Sequence, residues 1–328
     1  MTPIAPHVAA FLQERIPKER GASPHTAHAY ADSLRLLFLF ASKELKTTPS
    51  KLSLEQLGAP LILRFLGHLE EERRNSAVTR NVRLSSIKSF MKFLEHREPA
   101  LLEQIRHVRA IPKKRTDRRL VGYLSMREIE AILNVPTPTR IGIRDRAMVH
   151  LCFAAGLRVS ELVTLPLADV QLHAEPSVKV MGKGRRERSL PIWKPAAADV
   201  RAWVRVRGDV AATELFVSAR GEPMSRAGFE YVLEKHARAA SIKCPSLKAK
   251  HISPHVLRHS CAITLLQATG DLRKVSLWLG HADMRTTQIY VDADPSEKLT
   301  TVESIIPPSL RQGRFKAPDK LIALLTRP

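Results

Sequence analysis

Apolar positions recur at three- and four-residue steps through the first hundred residues. Tyr30, Leu34, Leu37, Phe38 and Ala41 form one such stripe over residues 27–45, and Val82, Ile87, Phe90, Met91 and Leu94 form another over 82–94. Polar punctuation sits where helices should begin. Ser23-Pro24 reads as an N-cap followed by a first-turn proline, Ser53 as a cap for residues 54–57, and Gly21 and Gly58 as breaks. The pattern predicts a small all-helical domain of four or five helices over residues 1–110.

From Ile111 to Gly122 the periodicity vanishes in Ile-Pro-Lys-Lys-Arg-Thr-Asp-Arg-Arg-Leu-Val-Gly, a basic run that reads as a linker, 111–123. A solvated loop is the plain alternative. The sharper reading is a strap along a phosphate backbone, with Lys113, Lys114, Arg115, Arg118 and Arg119 as its cations. Helical spacing then returns: Ser125 caps residues 126–133, and 144–155 form a longer buried helix with Ala147, Met148, Leu151 and Cys152 inside. The period next switches to two. Residues 177–181 and 188–192 flank the turn Gly182-Lys183-Gly184-Arg185-Arg186-Glu187 and predict a β-hairpin, because glycine supplies the positive φ such turns require. Further helices are predicted at 195–207, 226–240, 254–268, 271–279 and 284–292. The expected fold class is mainly α, with a small antiparallel β-hairpin or sheet in the second domain.

Charge narrows the partners. The 328 residues carry 53 Lys+Arg against 32 Asp+Glu, a formal +21, and within residues 1–110 the count is 17 basic to 11 acidic. With 44% apolar residues the chain can build packed cores, so disorder throughout is excluded. Such an excess favours nucleic acid or an anionic membrane surface, since without a polyanion it only repels itself. The longest apolar stretches, 36–41 and 147–157, fall far short of the ~20 residues that span a bilayer, so no membrane residence is expected. The first residues lack a basic segment followed by an apolar one, which speaks against secretion. Cys152, Cys244 and Cys261 are widely spaced, with no CxxC pair, and fit a reducing compartment. A cytoplasmic protein is expected.

Several motifs fail on inspection. Met181-Gly182-Lys183-Gly184 is not a phosphate-binding P-loop, because Gly follows the lysine and Ser occupies position 177. His255-Val256-Leu257-Arg258-His259 has helical zinc spacing, yet Val stands where a general-base glutamate would be and an arginine shares the face. Neither a metal nor a cofactor is expected. What remains is a scattered set of cations with one tyrosine. Arg158 lies between Gly156, which ends one helix, and Ser160, which can cap the next; a helix start favours an anion. His255 and Arg258 are i, i+3 on one helix, Gly280-His281 follows a helix end, Tyr290 lies nine residues later, and Lys183 is at the hairpin tip. Each alone has an ordinary structural explanation.

Their order and contexts are another matter. G-L-R-V-S-E-L at 156–162, G-K-G-x-x-x-R at 182–188, H-x-L-R-H at 255–259, L-G-H at 279–281 and then Tyr290 resemble the tyrosine recombinases, or phage-type integrases. Length and arrangement look most like the Xer-like two-domain members. The resemblance implies a helical, SAM-like core-binding domain at 1–110, the linker at 111–123, a catalytic domain at 124–300 and a tail at 301–328. It makes Arg158, Lys183, His255, Arg258 and His281 the active-site cations and Tyr290 the nucleophile, forming a 3′-phosphotyrosyl intermediate without metal or ATP. His259 and Glu161 are given structural weight. Implied partners are a double-stranded DNA recombination site and a tetrameric assembly with itself or related recombinases, in a nucleoid-associated setting; the capped apolar segment 318–325 reads as a short helix that docks either on its own domain or, as in members of the family, on a neighbouring copy. An unproductive DNA-binding accessory member of the same fold and a type IB topoisomerase-like enzyme are the competing readings.

Overall fold

In the computed structural model of the chain, the described residues are 2–19, 21–22, 24–116, 122–182 and 187–280, together with Thr287 and Tyr290. The chain divides into two units, Met1–Arg118 and Arg119–Pro328, each with its own apolar core.

The first unit is helical. Helix α1 (Ile4–Ala10) runs on into a wider π-type segment, Phe11–Glu19, and is followed by α2 (Pro24–Glu44), α3 (Ala59–Glu71), α4 (Ala77–Leu94) and α5 (Leu102–Ala110). Leu34, Leu37 and Ala41 of α2 are buried against Ile62, Phe65 and Leu69 of α3 and Ile87, Phe90 and Leu94 of α4. Phe11 meets Tyr30 and Phe90 edge-on, with ring centroids 5.7 and 5.3 Å away. One expected core position is wrong: Val82 is 56% exposed, because the five-residue step to Ile87 turns it well off the stripe that Leu84, Ile87, Met91 and Leu94 share. The expected helix at 54–57 is a single 3-10 turn, Leu54–Gln56, where Gln56 Oε1 accepts the Ser53 N–H at 2.9 Å. Ser76 caps α4 by accepting from the Thr79 N–H. Ser23 lies outside the described residues.

Beyond α5 the basic segment begins as a strap tied to α4. Ile111 is buried in the first core, Lys88 donates to its carbonyl, and Asn81 holds Lys114 at both ends, accepting its N–H at 3.0 Å and donating to its carbonyl at 2.8 Å.

The second unit runs α6 (Met126–Leu133), α7 (Arg140–Ala154), α8 (Val159–Val163), β1 (Val170–Gln171), β2 (Ser177–Met181), β3 (Glu187–Pro191), α9 (Lys194–Arg207), α10 (Arg226–Ala240), α11 (Pro254–Thr269) and α12 (Leu272–Leu279). The predicted hairpin is β2 and β3, with Val178 opposite Leu190, and β1 adds a short third antiparallel strand opposite Ser177 and Val178. Val178, Val180 and Leu190 face the core. Helix α7 is the centre of the unit, packed on α9 and α11. It begins four residues earlier than its apolar pattern, because Thr139 caps it by accepting the Gly142 N–H at 3.2 Å. A Cβ on Gly142 would lie 2.0 Å from the Thr137 carbonyl oxygen, so only glycine permits this entry. Among the described residues no helix is long and apolar enough to cross a membrane. Apart from Thr287 and Tyr290, the expected helix at 284–292 lies outside the described residues, as does the tail.

Candidate active site

The site starts where α7 stops. Gly156 takes φ +60°, the Gly156 N–H bonds to Phe153 O at 3.2 Å, and the Leu157 N–H bonds to Cys152 O at 3.1 Å, which is a Schellman turn. A Cβ here would meet Leu279 at 2.9 Å and Cys261 at 3.0 Å, so the glycine also lets α7 close against α11 and α12. Arg158 follows and is itself the N-cap of α8; the expected cap, Ser160, lies inside the first turn. Glu161 secures Arg158 twice, accepting its backbone N–H at 2.9 Å and its Nη1 at 2.7 Å.

Helix α11 brings His255, Arg258 and His259. It opens with Pro254 in its first turn, after Ser253, which accepts the Val256 N–H. His255 is exposed, whereas Arg258 retains 4% of its surface. Arg258 donates Nη1 to Gly156 O and Nη2 to Leu279 O, both at 2.6 Å, so one guanidinium joins the end of α7, α11 and the end of α12. Of its five N–H donors, three are not engaged by these two bonds. Burial, and then the positive charge of Arg158, bring Arg258 down to about 10.

Tyr290 retains 1% of its surface and packs with Ile263, Leu266, Val275 and Leu279. Its Oη lies 3.0 Å from Nδ1 of His259. Burial raises the phenol above its ordinary value, against the opposing pull of Arg258 and Arg158. Burial, with His255 and Arg258 nearby, drives His259 down to about 4. At neutral pH the centre is therefore a neutral phenol on a neutral imidazole, within the field of two guanidiniums. Beneath it, burial pushes the Cys261 thiol up to about 12, so it stays protonated and unreactive at neutral pH.

Two participants go beyond the residues that sequence reasoning nominates for chemistry. Arg188 of β3 donates to Glu161 Oε1 at 3.2 Å and Oε2 at 2.9 Å, and its guanidinium lies on Gly280, where a Cβ would come 3.0 Å from Nη1. The available signals are its place as the closing arginine of G-K-G-x-x-x-R and its strand register: Arg188 shares a face with buried Leu190, an inward place for a charge. Glu161 thus holds Arg158 and Arg188, with Arg258 3.9 Å away. Burial acts to raise that carboxyl, but the bonds from Arg188 and Arg158 outweigh it and hold it below the usual value. The second participant is His259, to which the sequence assigns only structural weight.

Of the sequence-predicted site residues, Arg158, Arg258 and Tyr290 gather in one place, with His255 beside them. Lys183 and His281 lie outside the described residues, as do Arg118 and Arg119. Lys113 and Arg115 are exposed, and Lys114 pairs with Glu70 at 2.9 Å. The first unit carries a cleft of about 470 Å³ whose lining includes Arg15, Lys88, Lys92 and Arg109, a group of cations that the apolar stripes do not flag.

Residues 123–297 match the Phage integrase family, and residues 9–98 match the Phage integrase N-terminal SAM-like domain. The protein y4rC of Sinorhizobium fredii, which carries an integrase/recombinase name, is 40% identical over 98% of this chain and 97% of its own. The tyrosine recombinase XerC of Pelobacter propionicus is 33% identical over 88% of this chain and 91% of its own. Among solved structures, the XerH site-specific recombinase in a post-cleavage complex with its palindromic difH substrate shares the fold at a TM-score of 0.69, with 21% identity over 90% of this chain and 83% of that one.

Proposed function

Because the chain belongs to the phage integrase family, the tyrosine recombinases, we propose that it cleaves and rejoins DNA strands at a specific duplex site through a 3′-phosphotyrosyl intermediate. The observation that carries this reading is the setting of Tyr290, a buried phenol within the field of Arg158 and Arg258. A phosphodiester attacked by a side-chain oxygen gains negative charge on its non-bridging oxygens, and fixed cations stabilise that charge. Arginine suits the task, since its planar fork stays charged and matches phosphate oxygens in pairs.

Tyr290 attacks phosphorus and the bond to the 5′-oxygen breaks. Lys183 protonates the leaving oxygen, His281 hydrogen-bonds a phosphate oxygen, and His255 assists proton movement at the tyrosine or phosphate. The phosphotyrosyl bond conserves the energy of the broken linkage, so a second 5′-hydroxyl rejoins the strand with neither ATP nor a cofactor. Residues 1–110 hold the duplex, with the cleft cations Arg15, Lys88, Lys92 and Arg109 on phosphates; residues 111–123 act as a basic strap, and 124–300 carry the chemistry. Two duplexes exchange four strands, so four copies, of this chain or with related recombinases, assemble on DNA, and the tail at 301–328 docks in trans through 318–325. The setting is cytoplasmic and nucleoid-associated.

The test uses a nicked suicide duplex built on a cleavage site mapped from DNA covalently trapped on the protein. Wild-type chain should accumulate an adduct, while Tyr290→Phe should bind the duplex normally and form none. An adduct that persists in Tyr290→Phe would overturn the assignment.

A further inference from the structure

Two histidines, one turn apart on α11, divide between solvent and the nucleophile. His255 is exposed at the start of the helix, whereas His259 is half-buried one turn on and has Nδ1 3.0 Å from Tyr290 Oη. This separation lies within the range a general base requires at the proton it removes. His255 has no such contact with the phenol among the bonds of the described residues. The two rings at 259 and 290 also pack together, with centroids 5.4 Å apart.

We propose that His259, in its Nε2–H form, accepts the Tyr290 hydroxyl proton during strand cleavage and returns it during religation. The inference rests on the reading of Tyr290 as nucleophile. In the step, the Oη–H proton moves to Nδ1 as the Oη–P bond forms and the P–O5′ bond breaks, and the leaving oxygen takes its proton from Lys183. Religation reverses each transfer, so no oxidant, reductant or further reactant enters.

Proton transfer from a phenol to an imidazole of low basicity is unfavourable in the resting site. It becomes favourable as Oη bonds to phosphorus and its affinity for the proton collapses, so transfer is concerted with attack. Among the described residues the charged and titratable groups bearing on His259 are His255 and Arg258 on its own helix and Tyr290 across from it. Arg258 disfavours an imidazolium, and the extra negative charge of the phosphorane offsets that repulsion when the proton arrives.

The experiment measures single-turnover adduct formation by the full chain on the nicked duplex, from about pH 6 to 9, for wild type, His259→Ala and His259→Asn. Asparagine keeps an acceptor near the Nδ1 position but is not a base. Wild type should be nearly level across this range. Both variants should be slower at neutral pH by about 10²-fold or more and rise by about tenfold per pH unit, because the tyrosinate must now form by loss of a proton to solvent. Added imidazole should partly restore His259→Ala. Duplex affinity, measured in parallel, should stay within about twofold of wild type, which excludes misfolding as the cause. A wild-type rate in His259→Ala, or a slower rate with an unchanged pH profile, would overturn the proposal while leaving Tyr290 as nucleophile. Absence of any adduct from wild type would overturn both.

Discussion

Replacing Glu161 by alanine removes the carboxylate that Arg158 and Arg188 share and that Arg258 approaches to 3.9 Å. Three guanidiniums would then face one another around a small cavity with no acceptor between them. Stripping one partner from a buried pair costs about 3–5 kcal/mol. The Arg158 side chain is 30% exposed, so water offsets part of its loss, and the low end, about 3 kcal/mol, applies. For a unit of about 200 residues that is a fall in unfolding midpoint of about 6–12 °C. Glu161→Gln keeps one carbonyl acceptor and should lose about half as much.

The pH dependence has a definite sign. The folded carboxyl lies below its ordinary 4.5, so its contribution is complete above that value and is lost as pH falls through the folded value. The midpoint difference between wild type and Glu161→Gln should therefore be largest near neutrality and shrink on acidification below about pH 4.5. Adduct formation should fall on the order of 10- to 100-fold in both variants, since Arg158 loses its fixed direction. Thermal unfolding followed by circular dichroism across this range, paired with the adduct assay at neutral pH, reads both effects. A Glu161→Ala midpoint within about 1 °C of wild type at neutral pH would show that this carboxylate does not hold the guanidiniums together.

Gly156→Ala should lower the urea midpoint, because a left-handed alanine costs about 1–2 kcal/mol and its Cβ would press on Leu279 and Cys261 at 2.9 and 3.0 Å. The same change displaces the carbonyl that orients Arg258, so adduct formation should slow as well. Arg258→Lys cannot bridge the Gly156 and Leu279 carbonyls and still offer a fork to phosphate; cleavage should fall about 10²-fold with duplex affinity retained in an anisotropy titration. Neutral replacement of Arg15, Lys88 and Lys92 in the first-unit cleft should weaken duplex binding and reduce the slope of log affinity against log salt by about 0.9 for each phosphate no longer neutralised.

The helices are legible because their apolar residues keep step with 3.6 residues per turn and their polar starts sit at the caps. Ser125 before α6 marks the start of that helix, as its cap chemistry predicts. The misses have physical reasons. Val82 has the composition of a core residue, but its phase on α4 places it outside. β1 is two residues long and forms only because β2 offers an edge, so no period announces it. Within the site, the resemblance of the ordered motifs to the tyrosine recombinases nominates Arg158, Arg258 and Tyr290, but order along the chain says nothing of which groups bond to which. Arg188 meets Glu161 across 27 residues, and His259 meets Tyr290 across 31, and those pairings are set by how β3, α8 and α11 pack. The α8 cap departs from expectation for a related reason: Ser160 has the usual cap chemistry, but the Schellman turn at Gly156 starts the helix two residues sooner.

Everything proposed for the site turns on Tyr290 being the residue that joins DNA. Its most direct test is to trap covalent protein–DNA adducts from cells expressing the full chain, digest both components, and locate by mass spectrometry the peptide that carries the nucleotide. A nucleotide linked through its 3′-phosphate to the peptide containing Tyr290 is expected. A nucleotide on any other residue, or a linkage through a 5′-phosphate, would contradict it.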